Sequence, residues 1–455
     1  MNTEQYFEIL GIDRNMSPDE AKQAYKDLIN RWYSDSKSDD IETRQKAEKK
    51  IKEINEAYEK VFPFFNDDTE ETPKTRKAFI LPVIIICSLF ISIFFANEET
   101  IRIVVAFTIV LSVLVFFHEL GHFMVARLCG VGVEKFSIGF GPRLIGKKIG
   151  ITDYRISAIP LGGYVKMVGE DPEAEIDPAD IPVSFTHKHV FKRISIVAAG
   201  PIFNFILAAV IFFFMYQISG MPMSKSVIGE VSEGTPAHTG GLEKGDMITA
   251  IDGVDIESWE DMSGIISKSK GKKLAISVQR DGSVSTFNIA PKKTTAKNIF
   301  NEDVERYVIG IVSSGDVFSK DLSVFEAVSA SISKTYFFTE LTVKSIVKLI
   351  QGRIPVKENL GGPIRIAKMS GQVAERGLSS LAFWIAILSI NLAILNFLPI
   401  PVLDGGHLLF YSIELALRRP VNTKVREIAQ QAGMLILFVL MAYVIFNDIR
   451  GEFFS

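Results

Sequence analysis

The most constraining feature of this sequence is a set of apolar runs, each long enough to cross a bilayer, separated by charged segments. A helix of about 20 mostly apolar residues spans the hydrocarbon core of a membrane. Five runs meet this requirement, and they cover residues 78–96, 101–128, 194–218, 380–402 and 431–447. The chain is 47% hydrophobic and still 23% charged, because the two classes are segregated along it. The pattern predicts a multi-pass α-helical membrane protein with about five spans.

The charges between the runs predict which loops face the cytoplasm. Lysines and arginines precede the first run, lie between the second and third, and lie between the fourth and fifth, whereas the first short turn carries Glu98 and Glu99. Cytoplasmic loops are enriched in Lys and Arg. We therefore expect a cytoplasmic N-terminal domain and an outer location for residues 222–292. The net charge of only −3 gives no support for nucleic-acid binding.

Two regions outside the apolar runs are polar enough to fold in water. Residues 1–66 predict a small helical domain, since Ser17 and Glu20 form a capping box with Pro18 at the first helical position. The helix that begins at this capping box is expected to end near Tyr33. A second helix is expected to cover residues 42–61. Residues 67–77 form a charged linker. Residues 222–292 are β-rich, and they separate a first core part, 101–218, from a second, 320–455.

The chemistry is concentrated at the end of the second apolar run, where His118-Glu119-Leu120-Gly121-His122 matches HExxH. On a helix the two imidazoles lie on one face and can bind one Zn²⁺, and Glu119 can reach a water beside it. Ionisable groups at membrane depth cost about 2.5 kcal/mol or more each. They persist where they pair or bind something, so the segment predicts a zinc site with Glu119 as the base.

A catalytic zinc site needs a third protein ligand. Asp404 is the prominent carboxylate, because it follows an apolar run that Pro399 and Pro401 must unwind and precedes two glycines. The alternative is a plain turn residue. His407 can serve as a partner of a ligand or be purely structural. Cys87 and Cys129 are interpreted as small buried hydrophobic residues.

Asparagines within the apolar runs need polar partners. Asn391 and Asn396 can bind the substrate backbone beside the metal, or they can form hydrogen bonds between helices. Asn204 is interpreted as a helix-packing residue. The residues themselves leave the first two alternatives open.

HELGH, GPIFN and NFLPIPVLDGG together resemble the site-2 protease family, and FSIGFGP, IPLGGYVKMVGE and ENLGGPIRIAKMSG resemble its bacterial regulator-of-sigma-E type. The resemblance covers about residue 101 to the C-terminus. It implies zinc ligands His118, His122 and Asp404, Glu119 as base and Asn396 near the scissile peptide. It also implies that residues 159–170, with Gly162, Gly163 and Tyr164, form a membrane-associated β-loop that receives the substrate as an added strand.

Two further resemblances concern the domains outside the core. VSEGTPAHTGGLEKGDMITAIDG resembles a PDZ domain, which would either bind a peptide or exclude bulky substrates by size. YFEILGI, LINRWY and INEAYEKV resemble a J-domain. Ser34-Asp35-Ser36 stands where that family has His-Pro-Asp, which predicts a degenerate J-domain that docks another cytoplasmic protein or the mouth of the protease.

The sequence therefore predicts an intramembrane zinc metalloendopeptidase in the bacterial cytoplasmic (inner) membrane. Its expected substrates are transmembrane segments of single-pass membrane proteins, in regulated proteolysis such as cleavage of an anti-sigma factor or a signal-peptide remnant. The alternatives are an inactive membrane-anchored PDZ and J-like adaptor, which the intact HExxH and Asp404 disfavour, and a zinc-dependent transporter. The other spans lack the intramembrane charges that a transporter would need.

Overall fold

The computed structural model describes residues 3–13, 16–33, 40–61, 97–171, 176–300, 302–355 and 361–453. The predicted span at 78–96, the linker and the Ser34-Asp35-Ser36 loop lie outside the described residues. The chain forms two compact units. The first comprises Met1–Asn204, Gly362–Gly377 and Leu392–Ser455, and the second comprises Phe205–Gly361 and Leu378–Asn391.

The first unit begins with a three-helix domain formed by α1 (Thr3–Leu10), α2 (Pro18–Tyr33) and α3 (Ile41–Val61). The predicted capping box starts α2: the Ser17 amide donates to Glu20 Oε2 at 2.8 Å, and the Glu20 amide donates to Ser17 Oγ at 3.3 Å. The apolar faces of the helices form one core, whose buried members include Leu10, Ile29 and Ile54. A folded helical domain at the N-terminal end is therefore confirmed.

Helix α4 (Glu98–Leu128) begins where Asn97 accepts a hydrogen bond from the amide of Thr100, and it is followed by a β-hairpin. The hairpin pairs β1 (Val133–Ile149) antiparallel with β2 (Thr152–Met167). Near its start β1 has partners on both sides, since Lys135 pairs with both Lys166 and Asp153. A 3₁₀ turn, Ile181–Val183, then leads to α5 (Val190–Ser219), which contributes to both units.

The β-rich region of the second unit runs from Met221 to Lys320, beyond the expected boundary at 292. Strands from its end pair with strands from its beginning, and Ile309 belongs to the same core as Ile228. Its elements are β3 (Met221–Ser224), β4 (Ile228–Val231), α6 (Pro236–Thr239), β5 (Met247–Ile251), β6 (Val254–Asp255), α7 (Trp259–Lys268), β7 (Leu274–Arg280), β8 (Ser283–Ile289), β9 (Lys292–Lys297), β10 (Asp303–Val308), β11 (Ile311–Ser313) and β12 (Val317–Lys320). The four-stranded sheet has the order β6-β5-β7-β8.

Five helices complete the chain: α8 (Val324–Ile350), α9 (Pro363–Glu375), α10 (Leu378–Phe397), α11 (Asp404–Leu417) and α12 (Thr423–Phe453). In the second unit, Phe212 of α5 packs against Phe338 of α8 and Phe383 of α10, with ring centroids 6.0 and 5.9 Å apart. In the first unit, both carboxylate oxygens of Asp448 in α12 accept backbone amides at the start of α9 at 3.1 Å. These contacts hold the apolar helices of each unit together.

Among the described residues, four helices are long and apolar enough to cross a membrane: Glu98–Leu128, Val190–Ser219, Leu378–Phe397 and Thr423–Gly451. They correspond to the second to fifth predicted spans. The fourth ends at Phe397 rather than 402, since Pro399 and Pro401 interrupt the chain before α11 begins. The fifth begins at Thr423 rather than 431. The protein is therefore an integral membrane protein.

Candidate metal centre

Helix α4 brings the two histidines of HELGH onto one face. Nε2 of His118 lies 3.2 Å from Nε2 of His122. The side chains are only 12% and 11% exposed, within a helix whose preceding residues are almost all apolar. Two imidazole nitrogens thus converge on one point inside the protein.

Asp404 reaches the same point from the first position of α11, directly after the sharply turned segment that follows α10. Its Oδ2 lies 3.1 Å from Nε2 of His118 and 3.5 Å from Nε2 of His122. Gly405 and Gly406 make the turn possible: an added Cβ would lie 2.6 Å from the carbonyl carbon of Phe397 and 2.7 Å from that of Ile400, respectively. The turn that the prolines and glycines impose therefore places the carboxylate opposite the histidines.

The three side chains fit a zinc ion in spacing and chemistry. Zinc–nitrogen and zinc–oxygen bonds of about 2.0–2.1 Å in a tetrahedron put neighbouring ligand atoms about 3.3 Å apart. The three observed separations are 3.2, 3.1 and 3.5 Å. Oδ2 of Asp404 is also a buried oxygen that takes part in no hydrogen bond within the described part of the chain. A cation would satisfy it, and two histidines with a carboxylate form a common catalytic zinc set.

A second layer of contacts orients the imidazoles. Nδ1 of His122 lies 2.9 Å from the carbonyl oxygen of Ile196, to which an Nδ1–H would donate. The lone pair of Nε2 is then left for a metal. The side-chain amide of buried Asn204 lies 3.3 Å from Nδ1 of His118. A half-turn of this amide exchanges its nitrogen and oxygen, so its oxygen can accept from Nδ1 of His118 in the same way.

Two glycines let α4 and α5 approach closely at the centre. A Cβ at Gly121 would lie 2.8 Å from the carbonyl carbon of Ala199. A Cβ at Gly200 would lie 2.8 Å from Cε1 of His118 and still closer to Nε2 of His122. Sequence reasoning did not single out Gly200 and treated Asn204 as a helix-packing residue. The GPIFN motif that contains both was the available signal.

Glu119 contacts the hairpin and lies within electrostatic range of His118, His122 and Asp404. The backbone amide of Val165 in β2 forms a hydrogen bond with its carboxylate. Gly163, two residues earlier, also lies against α4, since a Cβ there would be 3.1 Å from Cγ1 of Val115 and 3.4 Å from Cγ of Glu119. Strand β2 therefore holds the carboxylate of Glu119, the residue that follows His118 in α4.

The predicted substrate residues of the hairpin lie on this same stretch of β2. Gly162 has a φ of +116°, which favours glycine, and a Cβ there would meet the ring of Phe140. The ring of Tyr164 stacks on Phe140 at 6.0 Å and lies beside Arg155. In the described part of the chain, residues 163–167 pair with strand residues on one side only, those of early β1.

The remaining predicted site residues have different surroundings. Asn391 accepts a hydrogen bond from Thr342 Oγ1 at 2.8 Å, which joins α10 to α8 within the second unit. This is the interhelical alternative that the sequence left open. Asn396 is half-buried in the last turn of α10. A role in substrate binding stays a prediction for both.

His407 lines a cavity of about 270 Å³ in the first unit. The other lining residues are charged or polar: Glu170, Asp171, Thr423, Arg426, Glu427 and Gln430. His407 lies in the first turn of α11, directly after Asp404 and the two glycines. The cavity thus brings polar groups to the turn that carries Asp404.

Comparison with known proteins agrees with this geometry. Residues 106–440 match peptidase family M50. A candidate zinc metalloprotease of Agrobacterium fabrum is 39% identical over 362 residues, covering 76% of this chain and 96% of that protein. Another, of Campylobacter jejuni, is 39% identical over 350 residues, covering 76% and 92%. Zinc metalloprotease RasP of Geobacillus kaustophilus is 31% identical over 429 residues, covering 78% and 99%.

The N-terminal helices have a separate match. Residues 5–61 match the DnaJ domain, which corresponds to α1, α2 and α3 and lies outside the region matched by the peptidase family. The two matched regions identify the family of the membrane part and that of the N-terminal helices, and the converging histidines and aspartate agree with the first match. The chain belongs to peptidase family M50, the site-2 proteases, as a zinc metalloprotease that carries a DnaJ domain.

Proposed function

We propose that the protein cleaves transmembrane segments of single-pass membrane proteins, with zinc held by His118, His122 and Asp404. The observation that carries the proposal is the convergence of these three side chains at the end of an apolar helix long enough to span a membrane. A site in this position meets peptide bonds that are themselves within or next to the bilayer. Regulated proteolysis, such as cleavage of an anti-sigma factor or a signal-peptide remnant, is the proposed setting.

Glu119 is the proposed general base. When bound, zinc would lower the pKa of a water and polarise the scissile carbonyl. Glu119 accepts the proton of the attacking water and delivers it to the leaving amine. The hydrogen bond with Val165 holds the carboxylate in place during both transfers.

Strand β2 is the proposed docking edge for the substrate. A transmembrane helix satisfies its own backbone hydrogen bonds, so its peptide bonds must be exposed before attack. Residues 163–167 pair on one side and contact Glu119, so an extended peptide added at their other side would receive new hydrogen bonds close to the base. Gly162, Gly163 and Tyr164 are the proposed contacts on β2, and Asn396 and Asn391 are further proposed substrate-binding residues.

The β-rich region is proposed to be a single PDZ domain on the outer side of a bacterial inner membrane, excluding substrates with bulky ectodomains. Its core is independent, built from Ile228, Ile248, Ile276 and their neighbours. The proposed topology has five spans, including 78–96, with the DnaJ domain in the cytoplasm. The DnaJ domain contacts the segment after β2, and the loop charges assign that segment to the cytoplasm as well. This contact supports a cytoplasmic DnaJ domain.

The experiment is cleavage of a transmembrane substrate in membranes by the Glu119→Gln variant. We expect turnover to fall by about 10²–10⁴-fold, the usual contribution of a general base, while bound zinc is retained. Glu99→Gln makes the same chemical change in the exposed first turn of α4 and is expected to keep full activity. Full activity of Glu119→Gln would rule out the proposed base.

A further inference from the structure

The segment that follows the β-hairpin contacts the DnaJ domain. Ala179 packs against the hydrophobic core of α1, α2 and α3. Two residues earlier, a carboxylate oxygen of Asp177 lies 3.7 Å from Nζ of Lys26 in α2. The side chain of Asp177 is only 19% exposed, so the ion pair is partly shielded from water.

On the DnaJ side of this contact, a ring stack and a hydrogen bond join helix α2 to helix α3. The ring of Tyr25 in α2 stacks on the ring of Tyr58 in α3, with centroids 4.0 Å apart. The hydroxyl of Tyr25 donates to Oδ1 of Asn55 at 3.0 Å. Burial and the nearby charges of Asp177 and Asp180 raise the pKa of Tyr58, so both acidic residues of the segment lie close to this face.

The contacting segment has a fixed shape of its own. The amide of Ala179 donates to Oδ1 of Asp177 at 3.2 Å, and the amide of Asp180 donates to the carbonyl of Asp177 at 2.8 Å. This turn presents Ala179 between two carboxylates. An apolar residue flanked by acidic ones matches a face that offers aromatic rings and a lysine.

The same segment is tied to the elements of the metal centre. The amide of Gly132, just beyond α4, donates to the carbonyl of Val183 at 2.9 Å. The amide of Val168, directly after β2, donates to the carbonyl of Gly132 at 2.9 Å. A domain docked on residues 176–180 is thus connected by two backbone hydrogen bonds to the strand that contacts Glu119.

We propose that the DnaJ domain binds in cis: the face formed by Tyr25, Lys26 and Tyr58 docks on the protease's own acidic segment, residues 176–180. An ion pair at the protein surface contributes only about 0.2–1 kcal/mol, so this face would bind a separate peptide weakly. Within one chain the effective concentration is on the order of millimolar, which populates a weak contact. In this proposal the DnaJ domain packs on the cytoplasmic side of the protease, and the surface it binds belongs to the same chain.

Cysteine cross-linking tests the proposal without relying on protease activity. Lys26→Cys and Asp177→Cys are combined in a chain whose Cys87 and Cys129 are replaced by serine, with a cleavage site for an added protease inserted in residues 67–77. A short bismaleimide is applied to membranes, the linker is cut, and the fragments are separated by denaturing electrophoresis. We expect most of the DnaJ fragment to stay joined to the larger fragment.

The matched control moves the first cysteine to Asp27, the next position of α2, which is exposed and points about 100° away. We expect cross-linking from this position to fall at least severalfold. Lys26→Cys with Asp180→Cys is the second test pair, in case the first disturbs the turn, and bound zinc reports folding of both. Cross-linking no stronger than the control in both pairs would overturn the proposal, as would products of doubled mass before linker cleavage, which indicate docking between two chains.

Discussion

Two aspartates with little exposure, one in each unit, differ in how their charge is satisfied. Asp246, 1% exposed in the β-rich region, accepts hydrogen bonds from Arg280 at 2.6 and 2.7 Å and from the amide of Glu243 at 2.9 Å. Asp404 faces Nε2 of His118 and Nε2 of His122, and its Oδ2 forms no hydrogen bond within the described part of the chain. A carboxylate whose partners are all present stabilises a fold, whereas one that faces two imidazole nitrogens without such partners is suited to a shared cation.

The same difference extends to the glycines around each site. At the metal centre, Gly200 and Gly405 leave no room for a side chain because imidazole rings or backbone carbonyls occupy the space. In the β-rich region, Gly264 of α7 has open space around it. Close packing around Asp404 therefore positions the proposed ligand atoms, and substitutions there should lower zinc binding before they destabilise the fold.

The largest expected effect is that of Asp404→Ala. Removing one of the three proposed ligands should lower bound zinc and reduce cleavage by more than the roughly 10–100-fold that loss of a contact orienting a metal ligand produces. Elemental analysis of purified protein and cleavage in membranes measure the two quantities. Asp321→Ala, at an exposed position before α8, is the control and should leave both unchanged. Full activity with normal zinc in Asp404→Ala would show that the third ligand lies elsewhere.

Gly200→Ala should have the next largest effect. Its added methyl group would overlap the ring of His122, so the imidazoles must move and the zinc affinity must fall, although no ligand is removed. Competition with a graded series of chelators measures the affinity. Gly264→Ala is the matched control, and it should stabilise α7 by about 1 kcal/mol without affecting zinc. Equal zinc affinity in Gly200→Ala and the parent would contradict the observed packing.

Asp246→Ala should have the smallest effect on zinc and act on stability instead. We expect the β-rich region to lose about 1–3 kcal/mol, because Arg280 and the Glu243 amide lose their acceptor. Burial raises the pKa of Asp246, but the hydrogen bonds from Arg280 and Glu243 outweigh it and lower the pKa overall. This stabilisation is therefore complete above the unfolded pKa of about 3.9 and is lost as pH falls below it.

Limited proteolysis of the β-rich region between pH 3 and 7 measures this stability. The parent protein should be cleaved faster as the pH falls. Asp246→Ala should already be cleaved faster at pH 7, and its cleavage rate should change less with pH. Zinc content should match the parent at pH 7. An unchanged proteolysis profile in the variant would show that the Asp246–Arg280 pair does not stabilise the fold.

The sequence predicted the parts of this molecule that depend on local pattern. Apolar length gave the four described spans, the capping box of Ser17 and Glu20 gave the start of α2, and HExxH placed both histidines on one face. Each of these depends on residues within a few turns of one another. Asp404 was found by its context, since prolines and glycines in an apolar run require an irregular turn.

The sequence alone did not predict what depends on contacts between distant segments. Asn204 and Gly200 lie about 80 residues from HELGH and become parts of the centre only because α5 crosses α4 there. The β-rich region extends to Lys320 because β11 and β12 return to pair with β4 and β3, and such pairing leaves little local trace. The docking of Ala179 on the DnaJ domain is of the same kind.

The most direct test of the metal centre is X-ray absorption at the zinc edge of the purified protein. Two histidines and one aspartate predict a first shell of nitrogen and oxygen at about 2.0–2.1 Å, with the outer-shell scattering of two imidazole rings. A sulfur shell at about 2.3 Å would instead assign a cysteine as ligand. A spectrum with sulfur, or one without imidazole scattering, would contradict the assignment of His118, His122 and Asp404.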